Sequence, residues 1–168
     1  MQTYITSHTA SYWIEKLGLE AHPEGGFFKR TYESAGEVET KEGTRPLSTS
    51  ITFLLRSQDV SHFHRLQSDE IWYYHGGSSL TVHVIHPDGA YEAIQLGPDP
   101  EQGEVLQAIV PAQSIFGSTV NEPNTYALVG CMVSPGFDYA DFELFKREEL
   151  LALYPQHEEI IRRLTLSS

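Results

Sequence analysis

Covalent reinforcement is nearly absent from this chain. A single cysteine, Cys131, in 168 residues excludes an intramolecular disulfide and fits a reducing compartment. Cationic charge is also scarce: 11 Lys and Arg face 23 Asp and Glu, for a net charge of −12. Duplex nucleic acid and anionic membrane surfaces require a basic face, so this balance speaks against both as partners. It leaves room for an anionic small ligand held by one local arginine. No apolar run approaches the ~20 residues of a spanning helix; the longest is Tyr126 to Val133. The stretch Met1–His8 has no cationic segment followed by an apolar one, so no secretory leader is expected and a cytoplasmic location is. Internal repeats, a Gly-rich phosphate loop, a serine nucleophile elbow and a C-x-x-C pair are all missing.

What remains is the composition of a globular protein, with 40% hydrophobic and 20% charged residues. Aromatics at 11% lean toward β structure. The length suits one domain, and a chain of this size buries ~70% of its unfolded surface. Ala10, Trp13, Ile14 and Leu17 recur at helical spacing, with Ser7 or Thr9 to cap and Gly18 to stop, so a helix is expected over 9–18. His22-Pro23-Glu24-Gly25-Gly26 is a turn cluster, and His22 and Glu24 read there as turn residues. The period then becomes two. Strands are expected at Phe27–Ser34, Ser48–Arg56, Ser61–Leu66, Glu70–His75, Leu80–His86, Tyr91–Leu96, Glu104–Val110, Ile115–Val120 and Tyr126–Val133. Gly76-Gly77, Pro87-Asp88-Gly89, Gly97-Pro98-Asp99 and Glu122-Pro123-Asn124 separate them. Many short strands at ~8–12-residue spacing mean a sandwich or barrel. Helices close the chain over 146–164, with Glu158–Arg162 and Glu159–Arg163 as i, i+4 pairs. The expected fold is all-β: a single domain over 1–168, its barrel at about 26–134, with short helices flanking both ends.

The strongest chemical feature runs from Ser61 to Gly77. His62 and His64, two apart on a strand, would point to one face with Cα atoms roughly 6.7 Å apart. A tight connection at Arg65–Asp69 would return the chain antiparallel and bring Asp69 or Glu70 alongside, ~4.8 Å away. That geometry suits a two-His, one-carboxylate metal site or a His–carboxylate acid/base pair; the plainer alternative is two histidines on a solvated strand. Arg30 and Tyr32 would share a strand face, with Arg30 able to clamp a carboxylate or phosphate. Trp72 and Tyr74 are in phase with Glu70 and would line the same interior. Cys131 reads as inert core, and His8, His83, His86 and His157 as surface residues. Ser134-Pro135-Gly136-Phe137 reads as a pocket lip or a turn, with Asp141 bonded to backbone there.

His-x-His, a short gap, Glu, then six residues and Gly resembles the first motif of the cupin superfamily of jelly-roll barrels, here His62, His64, Glu70 and Gly77. Five residues separate His64 from Glu70, where the family usually has three or four, and Asp69 with Gly76 meets the spacing equally. The second cupin motif is matched by Pro111–Phe116, with Gln113 in place of its Gly and Phe116 in place of the fourth metal ligand. The blocks His22–Tyr32, Asp69–Trp72 and Ser134–Glu143 look like an uncharacterised cupin subfamily, distantly similar to dTDP-sugar epimerases; Tyr73 stands where that subfamily often has His.

The resemblance implies a jelly roll whose mouth binds a small molecule, through His62, His64 and Glu70 with Arg30, Tyr32, Trp72, Tyr74 and Phe116. Three readings are open. In the first, an isomerase or epimerase acts on a carbohydrate-like or other polar metabolite. His64 is the base, Asp69 or Glu70 steadies the imidazolium, and a Tyr returns the proton. In the second, His62, His64 and Glu70 form the facial triad of a metal-dependent oxygenase. In the third, the chain binds or senses a ligand without turnover. No cofactor is expected under the first and third, and a divalent metal under the second. A homodimer is expected, because Ser48–Arg56 is apolar on both faces and open sheet edges need covering.

Overall fold

Thr9 begins the first helix, α1 (Ala10–Leu17), by accepting the Tyr12 N–H on its side chain at 3.1 Å, and Gly18 ends it at φ 63°. In the computed structural model, which describes residues 7–167, the expected helix is therefore in place. The opening Met1–Thr6 stretch, read above for a leader, lies outside the described residues.

Among the described residues thirteen strands follow: β1 (Glu20–Ala21), β2 (Phe27–Glu33), β3 (Glu37–Thr40), β4 (Gly43–Pro46), β5 (Thr49–Arg56), β6 (Ser61–Arg65), β7 (Asp69–Gly77), β8 (Leu80–Ile85), β9 (Tyr91–Leu96), β10 (Gln107–Val110), β11 (Ile115–Val120), β12 (Tyr126–Ser134) and β13 (Glu143–Leu144). One sheet has the order β1-β2-β5-β12-β7-β10 and the other β13-β6-β11-β8-β9; β3 and β4 form a separate hairpin. All nine expected strands are present. The short β1 and β13 and the β3–β4 hairpin lacked an apolar alternation to betray them. Glu104 to Leu106 stays outside β10, leaving only Gln107–Val110 paired with β7.

The two large sheets sandwich an apolar interior that includes Phe53, Leu55, Trp72, Val82, Phe116 and Val129. Each sheet's outer face is then partly covered by a terminal helix. α1 lays Trp13, Ile14 and Leu17 over Leu54, Tyr126 and Leu128 of the larger sheet. The C-terminal α2 (Arg147–Leu153) and α3 (Glu158–Arg163) place Leu150, Ile161 and Leu164 against Phe63, Ile85 and Ile115 of the smaller one. Of the two expected helical ion pairs, Glu158–Arg162 forms at 2.8 Å and Glu159–Arg163 does not.

Two features depart from a period-two reading. β6 and β7 do not pair: the chain crosses from one sheet to the other at Leu66–Ser68. β6 lies beside β11 and β13, and β7 beside β12 and β10. Second, β6 carries a bulge. Ser61 pairs with Ser118 and His64 with Phe116, so His62 and Phe63 together oppose the single residue Gly117. An added Cβ at Gly117 would collide with the Ser61 carbonyl and sit 2.9 Å from Leu164 Cδ2. The bulge therefore requires glycine on the neighbouring strand. Gly117→Ala should lower unfolding stability by about 1–3 kcal/mol, the usual cost of overpacking, as read by denaturant titration. An unchanged midpoint would contradict this close approach.

Candidate functional site

The His22–Gly26 turn is closed by two backbone hydrogen bonds, Gly25 N–H to His22 O and His22 N–H to Gly26 O, both 2.9 Å. Gly25 sits at φ 111°, where a Cβ would strike the Val60 carbonyl, so only glycine lets the turn press onto β6. That contact delivers Glu24 into the interior. The Glu24 carbonyl accepts from the His62 backbone N–H at 2.6 Å and from His62 Nδ1 at 2.7 Å. The Glu24 N–H donates to His22 Nδ1 at 3.1 Å. The Glu24 carboxylate meets His64 Nε2 at 2.6 Å, and His64 Nδ1 donates to the His62 carbonyl at 2.7 Å. Both nitrogens of His64 are thus engaged.

Electrostatics sort the protons. Burial opposes ionising either member of the Glu24–His64 pair, but each charge stabilises the other. The net result lowers the Glu24 carboxyl below its ordinary value and raises the His64 imidazole above its own. The pair is an ion pair with no net charge. Glu70 enters from the opposite sheet. Burial and the neighbouring Glu24 charge push its pKa up to about 8, against a weaker opposing pull from His64. Glu70 is therefore a neutral carboxylic acid at pH 7, and its Oε2 has no hydrogen-bond partner. Burial likewise lowers His22. Because His22 Nδ1 accepts the Glu24 N–H, the proton of the neutral ring resides on Nε2.

Together His22, Glu24, His64 and Glu70 line a cavity of about 340 Å³, walled by apolar side chains including Phe28, Ile51 and Val133. Phe137 and Tyr139 form its lip. That lip is fastened by Arg30, whose Nη2 donates to the Phe137 carbonyl at 3.0 Å, and by a buried bidentate pair between Arg45 and Asp141, 2.9 Å at each contact. Asp141 thus binds a side chain where a backbone partner was expected.

The cavity gathers three of the residues singled out in the sequence: His64, Glu70 and Arg30. His62 is not among its lining, because the bulge at Gly117 breaks the alternation and its ring turns to the Glu24 carbonyl. Tyr32 is 55% exposed, because a second bulge between Arg30 and Tyr32 puts them on different faces. Trp72 and Phe116 are buried behind the cavity, with Phe116 packed on His64 at 4.1 Å between ring centres. Tyr74 spends its hydroxyl on the Gly77 carbonyl. Asp69 accepts the Ala112 N–H, which leaves Glu70 as the inward acid. Cys131 lines the cavity wall with its thiol pushed well above the ordinary range by burial. In the sequence, Glu24 and His22 favour a turn role over a functional one; the available signal for the latter is an acid and a His two apart ahead of a Gly-Gly pair.

The donor set does not fit the 2-His-1-carboxylate metal centre. His62 and His64 face different surroundings, His64 has no free nitrogen, and among the described residues no group of three or more His, Cys, Asp or Glu is arranged to hold a metal ion.

Comparison with known proteins gives a consistent placement. A family model described as "Cupin superfamily (DUF985)" matches residues 11–145. Protein SO0799 from Shewanella oneidensis is 48% identical, superposes with a TM-score of 0.90, and is covered over 99% of its chain by 96% of this one. A hypothetical protein from Leishmania major is 43% identical with a TM-score of 0.90, over 95% of this chain and 100% of that one. The uncharacterized protein YML079W of Saccharomyces cerevisiae is 28% identical over 153 residues, 82% of this chain and 76% of its own.

The raised Glu70 pKa has a sign that can be measured. Between the ordinary carboxylate value of 4.5 and about 8, the folded state holds a proton that the unfolded chain has released. Glu70 therefore costs stability as pH rises through that window, with a slope approaching about 1.4 kcal/mol per pH unit. Glu70→Gln should match wild type near pH 5 and exceed it in stability near pH 9, as followed by urea unfolding. A pH-independent difference would place the Glu70 proton elsewhere.

Proposed function

The chain belongs to the cupin superfamily, and from that premise we propose that it binds a small polar, carbonyl-bearing metabolite in the sandwich cavity and moves a proton on it, as isomerases and epimerases do. One observation carries this reading: a neutral carboxylic acid, Glu70, and a carboxylate, Glu24, share a small apolar-walled cavity. A carboxylic acid kept protonated in an apolar site donates a hydrogen bond to a carbonyl oxygen as negative charge develops there. Glu70 takes that role. The base is reassigned from His64 to Glu24, since both His64 nitrogens are already bonded. Glu24 accepts the proton from the carbon beside the carbonyl, and that carbon's bonding pair becomes the C=C of the enol. The carbonyl oxygen takes its hydrogen bond, or its proton, from Glu70. Return of a proton to carbon restores the carbonyl and both side chains. His64 holds Glu24 in place and offsets its charge; the neutral His22 offers a second N–H. Arg30 and Tyr139 at the lip select a polar substrate.

A carbohydrate-like substrate fits this reading because the cavity volume, about 340 Å³, suits a molecule of monosaccharide size. We assign no resident metal to the cavity, on the ground that both His64 nitrogens are committed to Glu24 and to backbone and that His62 lies outside the cavity lining. Among the described residues no helix is long and apolar enough to cross a membrane. A cytoplasmic setting is proposed on the lone buried thiol.

The homodimer is proposed on a narrower basis than the sequence implied. The outward Leu54 of β5 is already covered by α1. Ile71, Ile109 and Met132 are paired across β7, β10 and β12 on the same outer face, beyond the reach of α1, and Ile109 is 62% exposed.

Two measurements check these readings. Small aldoses, ketoses and 2-keto acids incubated with the protein in D2O near pH 7 should include one that gains deuterium beside its carbonyl, by NMR. Glu70→Gln should slow that exchange by about 10²-fold or more. Saturable binding without any exchange would replace the catalytic reading with a purely binding one. Light scattering at micromolar concentration should give about twice the single-chain 18.9 kDa; the single-chain mass would remove the dimer.

A further inference from the structure

On the outer face of the smaller sheet, against α3, lies a second cavity of about 350 Å³. Its floor is His83 of β8 and Tyr91 at the start of β9; its walls include Gln156, His157, Glu159 and Arg163. His83 is buried, and its ring bridges two hydroxyls: Nδ1 lies 2.7 Å from the Tyr91 hydroxyl and Nε2 2.9 Å from Thr119 Oγ1. His157 donates Nε2–H to the Gly89 carbonyl at 2.8 Å, which fixes its ring beside Tyr91 at 5.9 Å between ring centres.

Arg163 is the unusual member. Glu159 precedes it by one helical turn in the favourable order, yet no ion pair joins them, whereas the neighbouring Glu158 and Arg162 do pair. Arg163 makes no hydrogen bond or ion pair among the described residues. Of the two charges on this side of α3, Arg163 is the one felt at the floor. There, burial and then the Arg163 charge hold His83 neutral, with its pKa lowered to about 4, and Arg163 opposes the burial-driven rise of Tyr91.

We propose that this cavity is a second ligand site, for a small oxyanion (a carboxylate or a phosphate group) held by the Arg163 guanidinium, the Gln156 amide and the Tyr91 hydroxyl. Its chemistry follows from the buried histidine. A neutral imidazole carries one N–H, so the His83 chain has two states. With the proton on Nε2, His83 donates to Thr119 and accepts the Tyr91 O–H, which points that hydrogen away from the cavity. With the proton on Nδ1, His83 accepts the Thr119 O–H and donates to the Tyr91 oxygen, which frees the Tyr91 O–H for a ligand. An anion beside Arg163 stabilises the second state. The buried His83–Thr119 pair thus acts as an adjustable backing for one hydroxyl, and Arg163 supplies the charge. This site shares no residue with the Glu24–Glu70 cavity and stands whether or not that cavity is catalytic.

The test is a titration of the histidine-¹⁵N-labelled protein near pH 7 with sodium phosphate, sodium acetate and, at matched ionic strength, sodium chloride. Phosphate or acetate should shift the His83 ring nitrogens saturably toward the Nδ1–H tautomer at millimolar concentration. Saturation by phosphate alone, acetate alone or both assigns the anion class and supports the site in each case. Arg163→Gln, an exposed position, should weaken the saturating anion at least tenfold, and Arg30→Gln, in the other cavity, should leave it unchanged. No saturation, an equal response to chloride, an unaffected Arg163→Gln protein, or loss of the response in Arg30→Gln would each overturn the proposal.

Discussion

Glu24 is the knot around which the interior is tied. Its backbone N–H, its carbonyl and its carboxylate each meet a different histidine: His22, His62 and His64. A buried carboxylate is tolerable only with such partners, because an isolated one would be costly to remove from water. Removing one member of a buried ion pair typically costs ~3–5 kcal/mol, since the other charge is left stranded. The pair therefore locks the Gly25-Gly26 turn onto β6, and the bulge opposite Gly117 exists within that constraint.

The same knot sets the chemistry. The Glu24–His64 pair uses one positive charge to satisfy one negative charge, so nothing is left over to ionise Glu70. Burial and the Glu24 charge then keep the Glu70 proton in place at neutral pH. Two carboxyl groups of one sequence type thus take opposite protonation states, because one has a cationic partner at 2.6 Å and the other does not. The difference in protonation between these two acids arises from packing.

The lip shows how distant segments complete the cavity. Arg45 comes from the β3–β4 hairpin, outside both large sheets, and its buried pairing with Asp141 fixes the turn that carries Tyr139. Arg30 anchors the same segment at Phe137 from β2. Both arginines draw on a small cationic supply in an acidic chain, and both spend it at the mouth of the cavity.

Composition and periodicity by themselves determined the all-β class, nine strands and both terminal helical regions, and put His64 on a candidate interior face with either Asp69 or Glu70 beside it. These are local properties: alternation, helix spacing, Gly and Pro punctuation. The sequence by itself also held the His-x-His…Glu pattern that resembles the cupin motif. Which residues meet was decided only in the tertiary structure. A bulge adds one residue and reverses the side-chain alternation beyond it, and it left His62 and Tyr32 off the cavity where a strict period of two put them on it. Likewise β6 and β7 looked like a hairpin, yet they belong to opposite sheets, and Glu70 reaches His64 across the sandwich. Glu24 lies 40 positions before His64, and no local pattern announces a contact between a turn and a strand that far apart. The sequence specified the groups; the tertiary structure chose their faces and brought Glu24 into the interior, and with it decided which acid keeps its proton.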